Sequence, residues 1–126
     1  MGARSFVVAL LAAAVMTGAC SSGPSGEPPP QAPNGDPSAG ANDIEQFGCG
    51  ACHVIPGIRG ADGQVGPPLT QFGLRGYIAG ELPNNEANLI RWIMHPRDVE
   101  PGTAMPDLGV SESQARDIAA YLLSLR

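Results

Sequence analysis

Apolar positions recur with a helical period in three stretches of the chain, and the two-residue alternation of a strand is not seen. The first runs near Asp43 to Ala51, where Ile44, Phe47, Gly48 and Ala51 fall at i, i+3, i+4 and i+7 and Asn42 stands ready to cap the start. The second, ANLIRWIM from Ala87 to Met94, stops at His95, because Pro96 pushes the residue before it out of the helical region. The third opens on SESQ, Ser111 to Gln114, a capping box, and carries Ala115, Ile118, Ala119, Leu122 and Leu125 on one face to the chain end. Residues 57–84, rich in Gly and Pro, separate the first two, and a loop of that length in a compact domain needs something to organise it. The pattern predicts an all-α domain of about three main helices with long loops.

The N-terminal segment reads differently. Residues 1–19 combine Arg4, the apolar run FVVALLAAAV and the small residues Gly18 and Ala19, the layout of an export signal. The run falls short of the roughly 20 apolar residues that span a bilayer. TGAC at residues 17–20 resembles the bacterial lipoprotein cleavage box, which makes Cys20 the expected lipid-bearing N-terminus. Residues 21–40, SSGPSGEPPPQAPNGDPSAG, hold no apolar side chain larger than alanine and are expected to form a flexible tether. Such a tether reaches on the order of 60 Å when extended and averages roughly 25 Å as a coil. The expectation is a protein exported to the periplasmic or outer face of a bacterial membrane and held there by lipid.

Composition narrows the options. With 126 residues, 17 Gly and 13 Pro, one small domain is all the chain can build, and a core this small favours a prosthetic group at its centre. The formal net charge is -5 and all seven basic residues are arginines, which argues against nucleic acid as a partner.

The concentrated chemistry is CGACH, residues 49–53. A redox dithiol requires the C-x-x-C to open a helix in a strand and helix alternation that is missing here. A zinc site requires four ligands, and beyond Cys49, Cys52 and His53 only His95 is left once Cys20 is lipidated. Covalent haem c uses all three side chains: Cys49 and Cys52 add to the ring's vinyl groups and His53 reaches the iron. Met105, in the loop GTAMP between Gly102 and Pro106, is the candidate for the second axial position. Met94 shares the apolar pattern of Leu89, Ile90 and Ile93 and reads as core, while His95, beside Pro96 at a helix end, reads as a capping or surface residue.

CGACH followed by GPPL and PGTAMP, with a closing helix, resembles a class I c-type cytochrome over roughly residues 42–126, so that 42–126 is the expected domain. More narrowly, GCGACHVIPGIRGADGQVGPPL, YIAGELPN, RWI and PGTAMPDLG are similar to the haem c domain fused to the copper-A subunit II of some terminal oxidases. The resemblance implies the small cytochrome c fold, with its terminal helices crossing through Phe47 and Gly48 against Tyr121 and Leu122. It also implies that the Pro67 carbonyl accepts a hydrogen bond from His53, and that Arg75 and Trp92 reach the haem propionates. A solvated Arg75 and a packing Trp92 are the alternatives. No copper domain or membrane hairpin accompanies the match in this sequence.

The function implied is a one-electron carrier without catalytic residues, monomeric, exchanging electrons with a redox protein such as a terminal oxidase or a periplasmic dehydrogenase. An open-site haem enzyme or sensor and a fixed electron-transfer subunit are the other readings.

Overall fold

The computed structural model describes residues 33–126; the leader, Cys20 and the greater part of the tether lie outside them. Four helices, α1 (Pro37–Gln46), α2 (Glu86–Met94), α3 (Pro96–Val99) and α4 (Glu112–Ser124), enclose a core supplied by Ile44, Leu89, Ile93, Ala115, Ile118, Ala119 and Leu122, with Ile55, Ile58, Phe72, Ile78 and Val110 added from the loops. Each fully buried aliphatic side chain in such a cluster contributes about 1.5–3 kcal/mol. No charged or polar residue is buried as a whole among the described residues. None of the helices there is long and apolar enough to cross a membrane.

α1 begins earlier than its apolar stripe suggested. Asp36 is the N-cap, its carboxylate accepting from the backbone of Ser38 and Ala39, and Pro37 takes the first helical position, where a missing N–H costs nothing. The last residues assigned to the tether, 37–40, are therefore helical. Just ahead of them Asn34 donates twice to the Glu86 carboxylate, at 2.8 and 3.1 Å, and the Asp36 N–H donates to Asp117 Oδ1 at 2.8 Å. The helix also ends earlier. Gly48 adopts a left-handed φ of 67°, which stops α1 at Gln46 and sends Cys49–Ala51 into a separate 3-10 turn.

α1 and α4 form the principal helix pair. Their close approach is at Gly40, where a Cβ would stand 2.0 Å from the Asp117 carbonyl oxygen and 2.9 Å from the Ile118 nitrogen. The expected crossing glycine, Gly48, has no atom within 4 Å of its Cβ position and serves the turn instead. Phe47 and Tyr121 pack on the core's edge. The reason is geometric: Gly40 lies within α1, facing the α4 backbone, whereas Gly48 lies beyond the end of α1.

α2 and α4 lie where the pattern put them. Asn85 caps α2 by accepting from the Asn88 N–H at 2.9 Å, and the Ser111 capping box of α4 is complete. Three short elements were not foreseen. α3 is a single turn that starts on Pro96. β1 (Tyr77–Ile78) pairs antiparallel with β2 (Leu82–Pro83), two residues each, too short to register as an alternating pattern.

Because Gly40 meets backbone and not a yielding side chain, Gly40→Ala is expected to cost at least about 2 kcal/mol. A urea denaturation midpoint unchanged from the parent would contradict this account of the helix crossing.

Candidate haem site

The C-x-x-C spacing and the 3-10 turn suit each other. Residues i and i+3 eclipse in a 3-10 helix, so Cys49 and Cys52, at the turn's start and its C-cap, stand on one side of it with His53 next in line. Both thiols are unbridged and half-buried. Burial pushes the Cys49 thiol above its ordinary range; a hydrogen bond from its own backbone opposes this, and the neighbouring Cys52 adds to it.

The turn is clamped by the loop that follows. The Gly63 N–H donates to the Gly50 carbonyl at 3.0 Å, Gly66 to Cys52 at 2.8 Å and Leu69 to Val54 at 2.8 Å. Two glycines make this approach possible: a Cβ on Gly50 would lie 2.7 Å from Ala61, and one on Gly63 only 2.3 Å from the Ala51 carbonyl oxygen. At the far end Tyr121 donates its hydroxyl to the Pro56 carbonyl at 2.7 Å, tying the same loop to α4.

His53 Nδ1 lies 2.7 Å from the Pro67 carbonyl oxygen. A carbonyl can only accept, so Nδ1 carries the proton and Nε2 keeps a free lone pair. Gly66 is what lets the ring lie there, since a Cβ on it would come within 2.3 Å of Cε1 and 2.7 Å of Nδ1. A neutral imidazole held by its inner nitrogen, with the outer one available, is the arrangement a metal-ligating histidine requires.

Arg75 donates through Nη2 to the carbonyl oxygens of Pro68 and Thr70, the latter at 3.1 Å, and its guanidinium stands 5.3 Å from the centre of the Phe72 ring. It is thus tied to the segment carrying Pro67. Trp92 is half-buried against the core on α2, as is Met94. Met105 is half-buried in a loop shaped by side-chain bonds: Glu100 accepts from the Gly102 N–H, Thr103 from Met105 and Asp107 from Gly109. His95 is exposed, 3.8 Å from the Asp107 carboxylate, at the junction of α2 and α3.

Among the described residues no three His, Cys, Asp or Glu side chains converge to chelate one ion, Cys49, Cys52 and His53 included. The donor set therefore fits a group that takes the thiols at its periphery and the imidazole at its centre. Gly50, Gly63 and Gly66, which let the loop close on the attachment turn and the His53 ring, were not singled out from the sequence. Their signal was the Gly-rich loop beside CGACH, readable only once the fold shows which glycine faces which atom.

A small helical fold closed over a C-x-x-C-H turn, with the histidine set by a carbonyl from the next loop, defines a c-type haem protein. The chain belongs to the cytochrome c family: the model of that family, described as "Cytochrome c", matches residues 37–126. Its haem c is covalent, through Cys49 and Cys52. Similar proteins include cytochrome c oxidase subunit 2 of Alkalihalophilus pseudofirmus, 39% identical over 69% of this chain and 25% of its own length, and that of Bacillus sp. strain PS3, 37% identical over 62% and 23%. The chain thus spans about a quarter of those two relatives. Cytochrome c2 of Rhodopila globiformis is 36% identical over 75% of this chain and 98% of its own length.

Gly66→Ala is expected to displace the imidazole and lower stability by about 1–3 kcal/mol. Chemical denaturation followed at the Soret band checks this, and parental stability with a parental spectrum would show that the cradle is not needed.

Proposed function

We propose that the protein is a membrane-tethered one-electron carrier in which His53 and Met105 would hold the haem iron. The observation that carries this reading is the His53 to Pro67 hydrogen bond, which leaves the Nε2 lone pair free to bind a metal. The bound haem supplies a metal that changes oxidation state by one electron with little change in shape. The chain's own contribution is to hold the ligands. Pro67 raises the basicity of the imidazole and fixes its plane, while Thr103 and Glu100 brace the loop that offers the Met105 thioether.

Held by both side chains, the haem would offer no site to a substrate or gas, and the residues around it would serve electron transfer rather than catalysis. Arg75 keeps its remaining guanidinium N–H groups free of the Pro68 and Thr70 carbonyls, so that it and Trp92 can serve the haem propionates. Cys20 is the lipid anchor, and export puts the carrier on the outer side of a bacterial membrane as a monomer. The likeness to cytochrome c oxidase subunit 2 over about a quarter of that protein's length supports a redox protein such as a terminal oxidase as the partner, and a periplasmic dehydrogenase is the other partner of this kind.

Ligation by Met105 is tested on the oxidised holoprotein. Met105→Ala should abolish the near-infrared methionine-to-iron band while keeping covalent haem. Persistence of the band in that variant would overturn the assignment and direct attention to Met94.

A further inference from the structure

Asn84, at the exit of the β1 and β2 hairpin, makes three hydrogen bonds to one short segment. Its backbone N–H donates to the Gly76 carbonyl at 2.9 Å, and its side-chain Nδ2 donates to the Phe72 carbonyl at 2.9 Å and the Arg75 carbonyl at 3.0 Å. Only the NH2 of an amide can serve two carbonyls, so the side chain's orientation is fixed. Its Oδ1 is buried and accepts nothing from the described residues. A buried acceptor without a donor is costly, which makes Asn84 a poor choice for filling space and marks its two donor bonds as the reason for its presence.

Those bonds sit at the root of a strap that ends on the ligand histidine. Asn84 holds the backbone at Phe72 and Arg75; Arg75 in turn reaches the Pro68 and Thr70 carbonyls across the buried Phe72 ring. Pro68 follows Pro67, whose carbonyl accepts the His53 proton. Two consecutive prolines have fixed φ and no N–H, so a displacement at the Pro68 carbonyl carries to that of Pro67 with little slack. The other end of the strap is anchored independently: Gly73 donates to the Leu125 carbonyl at 2.9 Å, and a Cβ there would stand 2.2 Å from the Leu123 carbonyl oxygen.

We propose that Asn84 is a positioning residue for the axial histidine, acting through Arg75 and the Pro67 and Pro68 segment to hold the acceptor of the His53 Nδ1 proton. This rests on His53 as iron ligand. Releasing the clasp lengthens the His53 to Pro67 bond and lowers the basicity of the imidazole. The ferric state then loses more stabilisation than the ferrous state, and the reduction potential rises.

The test uses the full-length holoprotein in its reduced form. In Asn84→Leu, exchange of the His53 Nδ1 proton followed by NMR should quicken by about tenfold, with a positive shift of the midpoint potential and unchanged amide protection in α4. Arg75→Gln should quicken the same proton, and the double variant should go no further than the faster single one, because both cut one strap. Unchanged proton exchange in Asn84→Leu, or quickening matched by equal loss of α4 protection, would overturn the proposal and leave Asn84 a structural residue. If that variant does not mature, Arg75→Gln alone decides, and parental proton exchange in it sinks the idea. A paramagnetic reduced parent would refute closed axial ligation before any variant is made; the midpoint potential of Asn84→Leu still reads the strap in that case.

Discussion

The hydrogen bond from His53 Nδ1 to the Pro67 carbonyl is the constraint on which the site depends. It selects one tautomer, orients the ring and requires a loop of defined path to bring a carbonyl back to residue 53 from fourteen residues further on. That path explains much of the loop's composition. Gly63 and Gly66 permit contact with the attachment turn and the ring, while the pair Pro67 and Pro68 stiffens the segment where the carbonyl must not wander. The surrounding helices serve the same end. α1 leads into Cys49, and α4, pressed against α1 at Gly40, receives the loop through Tyr121 and the Phe72 to Leu74 turn through Gly73.

What was legible in the sequence was what local chemistry dictates. The capping box at Ser111, the stop at His95 and Pro96 and the C-x-x-C-H motif each declare themselves within five residues, and α2 and α4 stand where they were expected. Resemblance pointed to the His53 to Pro67 pair, which no local pattern would have joined. What was not legible depends on atoms distant in sequence. Gly40 and Gly48 look alike in the chain, yet one is a contact between helices and the other a left-handed stop, and only the facing backbone of Asp117 distinguishes them. Asp36 and Pro37 are a sound helix start, but they sit in a Pro- and Gly-rich stretch whose average composition hid the local signal. Asn84 was unremarked for the same reason: its partners at Phe72 and Arg75 lie across a hairpin too short to foresee.

The same contacts set where the chain enters the domain. The chain enters the fold at Asn34 and Asp36, against Glu86 and Asp117, and α1 then runs away from that corner toward Cys49. A ten-residue helix is about 15 Å long, so the attachment turn lies at the opposite end of α1 from the entry point. In the proposed membrane-tethered carrier, attachment at that corner would leave the Cys49 end of the domain clear.

The proposed function rests on His53 and Met105 closing both faces of the iron, which would suit it to carrying electrons and not to binding small ligands. Carbon monoxide titration of the reduced full-length holoprotein at neutral pH tests this most directly. The account predicts that its visible spectrum stays that of a six-coordinate haem across the titration. Rapid stoichiometric binding would contradict it.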